Sequence, residues 1–333
     1  MQSKKTDYTQ YGTTIAHACI VSFLFLFTSL SIKAQYFTLA EYNAENLFDT
    51  IAYTIPADSD FTPQGEHHWT RSRMFKKLRD TAAAIMAIDS VRPADIVCME
   101  EVESDTILSY LTQLSPLRNL GYEYINTHSA DSRGINVAIL YSPLTFHLLN
   151  YHSIRPATDA PTRDILYASG LALNRDTIHI LAVHLPSKLG GKKSNTNRNN
   201  VVRSILSVID SIQTISPNAN IIIAGDFNDG LKSRSIKQIK GFTDLMKNKK
   251  PGTYKYQGQW DTIDHILVSQ SLLNSDNPLH TSTADAGIVD KPFLLEPDQQ
   301  YGGTKPFRTF IGPRYNHGYS DHLPVYIRLR IRG

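Results

Sequence analysis

The chain predicts an α+β fold, a sandwich with its sheets packed in the middle. Many short apolar runs show period-two alternation or continuous burial, two longer stretches repeat their apolar residues at helical spacing, and the two kinds follow one another without strict strand–helix alternation. The last observation argues against a doubly wound parallel sheet. With 333 residues, 41% of them hydrophobic, the chain can bury a sizeable core.

The elements justify this in order. Residues 1–34 stand apart from the core: Lys4 and Lys5 precede a polar stretch, an apolar run follows over residues 15–32 around Phe23-Leu24-Phe25-Leu26-Phe27, and Lys33-Ala34-Gln35 closes it. This pattern predicts a secretory signal cleaved after Ala34, and hence an exported protein, periplasmic or extracellular. A retained membrane anchor is the alternative, since the run approaches a bilayer's span and Ile32 is bulkier than the usual residue before a cleavage site. Residues 35–333 then form a single catalytic domain. Cys19 precedes the apolar run, so Cys98 is the sole cysteine of the processed chain and no intrachain disulfide can form. Losing Lys4, Lys5, Lys33 and Asp7 lowers the formal charge from +3 to +1, which gives no electrostatic footprint for tight, sequence-independent nucleic-acid binding.

Strands are expected at residues 36–42, 95–99, 123–126, 137–141, 146–151, 165–173, 178–183, 220–224, 263–268 and 323–331. Between them, Met74, Phe75, Leu78, Ala82, Ile85 and Met86 mark an amphipathic helix over residues 71–89, and Val201, Ile205, Val208, Ile209 and Ile212 mark another over residues 197–215. Residues 275–318, rich in Gly, Pro, Asp and Tyr, are too long for an ordinary connection and read as a substrate-selecting lid or a structural insertion.

Asn43, Glu101, His184, Asp226, Asn228, Asp264, Asp321 and His322 each follow or lie within one of these apolar runs, so strands ending at one rim would gather them. Hard oxygen donors beside imidazoles suit Mg²⁺-assisted attack on a phosphate ester, with Mn²⁺ as a substitute. Taken in order, Tyr42-Asn43-Ala44-Glu45-Asn46-Leu47, Met99-Glu100-Glu101-Val102, Val183-His184-Leu185-Pro186, Gly225-Asp226-Phe227-Asn228, Ile263-Asp264-His265-Ile266-Leu267 and Ser320-Asp321-His322-Leu323-Pro324-Val325 resemble the motifs of the endonuclease/exonuclease/phosphatase superfamily. The resemblance covers about residues 35–333.

That resemblance implies a four-layer α/β/β/α sandwich with two central, mostly antiparallel sheets. It implies Glu101 as metal ligand with Asn43 and Asp321 beside it. Asp226 and Asn228 would orient the attacking water and hold the phosphate, His322 would be set by Asp264, and His184 would contact the scissile phosphate. Whether Asp226 or the His322–Asp264 dyad takes the water's proton is left open. Arg163 stands where members often carry a phosphate-contacting arginine, with a surface ion pair to Asp164 as the bland alternative. Arg133 and Asn136 would support His184 or substrate, or merely make a turn. Glu100 replaces a glutamine often found before the metal-binding glutamate. It either adds charge at the metal or points away.

His67-His68-Trp69 reads as packing rather than a second metal site, for want of partner Cys or His. Residues 187–200, with Lys188, Lys192, Lys193 and Arg198, read as a flexible basic loop that either holds a polyanion or is simply solvated. The expected function is therefore an exported Mg²⁺-dependent phosphoesterase acting by direct attack of water. A nuclease is placed ahead of a lipid- or sugar-phosphate phosphatase or sphingomyelinase-like enzyme, and a catalytically silent binding protein is a remote third. The partners are then phosphate esters, either nucleic acid or a phosphorylated small molecule or lipid headgroup. No protein partner is implied, and a monomer is expected.

Overall fold

Alternation along the first strand decides the layering. In β1 (Gln35–Leu47), Phe37 and Leu39 face one apolar layer while Ala40 and Tyr42 face another. A strand with two apolar faces is one buried on both sides. The computed structural model describes residues 35–53, 56–89, 91–158, 161–188, 191–230 and 233–332. The leader expected over residues 1–34 lies outside them. Tyr36–Gly333 form one compact unit.

One sheet runs in the order β13 (Leu279–His280), β19 (Val325–Ile331), β1, β2 (Ile96–Val102), β4 (Asn136–Tyr141), β3 (Glu123–Asn126), with β14 (Ala286–Ile288) also on β19. The second runs β5 (His147–Ile154), β6 (Ile165–Leu171), β7 (Thr177–His184), β8 (Asn220–Asp226), β12 (Asp264–Ser269), β9 (Phe242–Asp244). Each sheet has a parallel pair near its middle, β1 with β2 and β7 with β8, and β4 lies antiparallel to β2, β6 to β7 and β12 to β8. The sandwich is thus mostly antiparallel, as expected.

Three apolar clusters separate four layers. Helices α1 (Arg71–Met86) and α2 (Asp105–Leu114) bury Met74, Leu78, Ile85, Ile107 and Leu111 against Tyr42, Val97 and Met99. Between the sheets lie Phe37, Leu39, Ile96, Cys98, Ile222, Ala224, Ile266 and Val268. On the far side α3 (Gly191–Ile215) packs Val201, Ile205 and Ile209 on Ile221 and Ile223. Each such fully buried side chain contributes about 1.5–3 kcal/mol of transfer free energy.

Three expectations change. Residues 187–200 are not mainly a loop, because α3 starts at Gly191, six residues before the expected helix. Lysine, arginine and asparagine there carry no apolar periodicity to reveal it, yet Lys and Arg are good helix formers. Helix α2 went unpredicted. It is short, and Ser104 caps it by accepting from the Ile107 amide at 3.4 Å. Residues 275–318 are no structureless lid: besides β13 and β14 they hold the hairpins β15 (Leu295–Pro297) with β16 (Thr304–Pro306) and β17 (Phe310–Ile311) with β18 (Arg314–Tyr315). A further hairpin, β10 (Tyr254–Tyr256) with β11 (Gln259–Asp261), precedes β12.

Candidate active site

The rows of side chains between the sheets change from apolar to polar at one end. On β8 the row Ile222, Ala224 continues to Asp226, on β12 Val268, Ile266 leads to Asp264, and on β7 Ile180, Ala182 leads to His184. The register sets these three ends side by side: His184 opposite Asp226, and Asp226 opposite Asp264. Across the sandwich, Phe37 and Leu39 lead to Asn43 on β1, and Asn43 lies opposite Glu100 of β2. Strand parity alone therefore carries polar groups from four strands, β1, β7, β8 and β12, to one rim.

His322, arriving just before β19, completes the set. Its Nδ1 lies 2.9 Å from both carboxylate oxygens of Asp264, and its Nε2 lies 4.0 Å from Asp226 Oδ2. Burial disfavours the imidazolium, but Asp264, by charge and hydrogen bond, and then Asp321 and Asp226 outweigh it and hold His322 well above the ordinary histidine range. Asp226 accepts from the Asn228 amide at 2.7 Å, from Asn228 Nδ2 at 3.1 Å and from Asn43 Nδ2 at 3.2 Å. Burial nevertheless pushes its pKa up to about 7, partly offset by His322. His184 Nε2 is 3.4 Å from Asp226 Oδ2, and its Nδ1 is buried with no partner among the described residues. Burial first, then Arg163, Arg133 and His322, keep it well below the ordinary range, so this imidazole is neutral. The side-chain atoms of Asp226, Asp264 and His322 fall within 4.8 Å of one another, a grouping that could cradle a cation. Since Asp264 already takes up Nδ1, the same atoms form a proton-handling relay, with a charged imidazole beside a carboxyl poised near neutrality.

A second cluster is acidic and braced by arginines. Glu101 would face the helices by strand alternation, but it is a bulge residue: Glu100 pairs with Val137, Val102 pairs with Asn136, and Glu101 takes φ +60° between them. A bulge re-aims a side chain in this way. Its carboxylate accepts from the Asn46 amide and from Arg133, both at 3.0 Å. Burial raises its pKa, but the Arg133 charge and hydrogen bond, with His322 and the Asn46 amide, bring it below the usual carboxylate value. Asp321 accepts from Arg308 at 2.8 Å, and its other oxygen lies 3.9 Å from His322 Nε2. Arg308 also faces Glu45 at 3.7 Å, whose carboxylate caps the amides of Thr309 and Phe310. Burial pushes Glu45 up to about 7, with Asp321 adding to it. Behind it, buried Lys77 donates to Thr309 and Tyr319, and desolvation lowers its pKa to about 8.

Lys77 and Tyr254, whose ring lies 5.1 Å from His322, were not singled out from the sequence. Glu45 lay in a quoted motif, and Arg308 ends the stretch 301–308, which offered either a basic pocket or a membrane-facing loop. Arg163, expected at the substrate, is instead a buried bracket, donating to Asp131 at 3.1 Å and to the Leu185 carbonyl at 2.7 Å. It pairs with neither solvent nor Asp164, because its strand entry turns it inward beside His184. Asn136 serves the turn, donating to the Glu103 carbonyl and accepting from the Ser129 amide. Arg133 belongs to Glu101. Glu100 lies fully buried between the sheets beside Glu41, where the two carboxyls lean on one another without a well-formed hydrogen bond. Burial raises both well above the ordinary range, so Glu100 does not deliver an extra charge at the rim. His67 packs 4.5 Å from the rings of both Phe61 and Phe310.

The fold recurs among known proteins. In fold, the chain resembles an endonuclease/exonuclease/phosphatase family protein from Bacteroides thetaiotaomicron (17% identity, TM-score 0.56, 90% of this chain and 99% of that one). It also resembles the mannosyl-6-phosphatase Bt3783 of Bacteroides thetaiotaomicron (19%, 0.55, 88% and 99%) and truncated TDP2 from Caenorhabditis elegans (16%, 0.55, 89% and 97%). A curated relative, Protein angel of Drosophila melanogaster, is 22% identical over 202 residues, or 53% of this chain, and the match spans about half of that protein (54%). The family described as "Endonuclease/Exonuclease/phosphatase family" matches residues 38–331. The chain belongs to the endonuclease/exonuclease/phosphatase family.

Proposed function

We propose that the protein is an exported, Mg²⁺-dependent phosphoesterase that hydrolyses its ester by direct in-line attack of water. The observation that carries this reading is the buried His322–Asp264 pair, with Nδ1 held at 2.9 Å and Nε2 aimed toward Asp226, on the same rim as an all-oxygen donor set. Asn43, Glu101 and Asp321 supply that set. It fits a hard cation: every donor is an oxygen, and the arginines now on Glu101 and Asp321 are 46% and 36% exposed, so they can withdraw from one lone pair without uncovering a core. Bound there, Mg²⁺, or Mn²⁺ in its place, neutralises phosphate charge.

The chain's own groups do the rest. Asp226, held by Asn228 and Asn43 and raised toward neutrality, takes a proton from water. Asp264 fixes the His322 ring so that its Nε2–H faces the reacting phosphate, where a held positive charge favours the transition state. Neutral His184 stands beside Asp226 as the further proton partner.

A small phosphate ester suits this site better than a nucleic acid. Two of the basic residues that motivated a nuclease are already engaged: Arg198 is buried and donates to the Pro186 carbonyl at 3.0 Å, and Lys188 lies 3.3 Å from Asp229. The likeness to a mannosyl-6-phosphatase supports the same choice.

Hydrolysis of p-nitrophenyl phosphate and bis-p-nitrophenyl phosphate should require Mg²⁺, stop with EDTA and be lost in His322→Ala; metal-indifferent turnover would remove the proposal. A panel of plasmid DNA, RNA, sphingomyelin, inositol polyphosphates and hexose phosphates at equal enzyme ranks the substrates. Export would appear as a processed chain beginning at Gln35 by N-terminal sequencing.

A further inference from the structure

The Arg308–Asp321 pair has a second side. It closes the inner end of a cleft of about 260 Å³ that runs outward between the β10–β11 hairpin and the segment around Tyr301. The hairpin starts at the catalytic rim, because Tyr254 bridges to His322. Two residues further along the same face, Tyr256 is 62% exposed, and Tyr301 across the cleft is 50% exposed. Between them lie Gln257 and Gln300.

The walls are held in place. Lys255 pairs with Asp298 at 2.8 Å, each side chain only 5% exposed, and also donates to the carbonyls of Gly302 and Thr304. Asp298 in turn accepts from the amides of Gln300 and Tyr301. Gly258 takes φ +79°, and a Cβ there would stand 2.8 Å from Tyr301 Cβ, so the hairpin tip and the opposite wall are in contact. The backbone on either side of the cleft that carries the two exposed aromatic rings is therefore held by buried polar groups. That is how a surface keeps rigid amphipathic anchors at low entropic cost.

The chemistry of the lining selects among occupants. Phenol hydroxyls and carboxamides both donate and accept, as alcohol hydroxyls do. The cleft's lysines are already matched: Lys255 by Asp298 and Lys305 by Glu296 at 3.6 Å. A polyanionic strand would want free cations along its path. A volume of about 260 Å³ suits one ring and not a chain of them.

We propose that this cleft seats the alcohol half of the substrate and that this half is a monosaccharide, its apolar ring face against Tyr256 and Tyr301 and its hydroxyls on Gln257 and Gln300. This rests on the phosphoesterase reading above and adds to it the class of substrate. The test uses the full-length processed enzyme with Mg²⁺ and four probes: p-nitrophenyl phosphate, glucose 6-phosphate or mannose 6-phosphate, glycerol 3-phosphate and thymidine 5′-monophosphate.

A hexose 6-phosphate should be turned over with kcat/KM at least tenfold above glycerol 3-phosphate. Tyr256→Ala and Tyr301→Ala should each raise its KM at least fivefold while leaving glycerol 3-phosphate turnover, which has no ring to seat, within twofold. Tyr256→Phe, which keeps the ring, should retain most of the hexose preference. Saturation-transfer NMR with the free hexose should light its ring protons in the wild type and not in Tyr256→Ala. A preference for thymidine 5′-monophosphate would overturn the sugar assignment in favour of a base, and equal effects of the tyrosine variants on every probe would overturn the cleft. Loss of all Mg²⁺-dependent turnover in the wild type would instead strike the phosphoesterase reading, and the NMR result would then judge the cleft by itself.

Discussion

Two histidine–aspartate pairs sit on opposite faces of β12. Asp264 points between the sheets and holds His322 at 2.9 Å; its sequence neighbour His265 points toward the α3 side and holds Asp244 at 2.7 Å. In both pairs burial opposes the imidazolium and the carboxylate more than restores it. They differ at the second nitrogen. His265 Nε2 is taken by the Asp229 carbonyl at 2.9 Å and its ring meets Phe227 edge-on, whereas His322 Nε2 finds only carboxylates at 3.9 and 4.0 Å. An imidazole capped at both nitrogens is a structural bracket. One capped at a single nitrogen keeps a proton available for chemistry.

The largest expected separation is therefore in turnover. His322→Ala should lower kcat by about 10²–10⁴-fold, the range of a lost acid–base group, and His265→Ala should change it only a few-fold at a temperature where both are folded. Phosphatase kinetics on the two purified variants would decide. Comparable losses would mean that the bracket is as much a part of the site as the relay.

Stability should divide the other way. Removing His265 leaves Asp244 without its partner, a loss of about 3 kcal/mol by the usual cost of breaking a buried pair. Urea unfolding would show it as a lower midpoint with an unchanged slope. A midpoint within error of wild type would show that water replaces the ring.

The pH dependence sharpens this. His265 has a folded pKa above its unfolded value near 6.5, so between those values the folded state binds more protons than the unfolded one. Its stabilisation is complete below about pH 6.5 and is lost as pH rises through the folded value. Asp244 and the Asp229 carbonyl are the groups that face it, and the Asp264 charge acts on it from the opposite side of the strand. His322 and Asp226 titrate with the same sign, so the quantity to measure is the difference between wild type and His265→Gln across pH 5.5 to 9. That difference should shrink as pH rises.

This contrast also marks what the residues could tell by themselves. His184, Asp226 and Asp264 were legible because each ends a continuous apolar run, and strand parity then fixes the face. His265 and His322 are equally polar in sequence. Only the tertiary partner of the second nitrogen tells bracket from relay. Glu101 was found by motif, but its direction depends on a bulge that alternation would place wrongly. Glu45 with Thr309 and Arg308, and Lys77 with Tyr319, join residues more than two hundred positions apart, and no local pattern announces such pairings. Arg163 was misplaced for the same reason, since its partners Asp131 and Leu185 flank it from different strands' ends.

The smallest effect tests the least expected burial. Glu100 directly precedes Glu101, yet it lies with Glu41 beneath the rim, and burial holds both carboxyls well above the ordinary range. Above the unfolded carboxyl pKa of about 4.3 the folded state therefore retains protons that the unfolded state gives up, and stability falls as pH rises. Glu100→Gln keeps the shape, supplies an amide N–H from which Glu41 can accept and removes Glu100's share of this dependence. At pH 8 the variant should be more stable than wild type by about 1 kcal/mol, on the scale of one hydrogen bond, with turnover and Mg²⁺ requirement within twofold. A tenfold change in the Mg²⁺ concentration for half-activity would instead make Glu100 a partner of the cation, and would bring the interior of the sandwich into the chemistry of its rim.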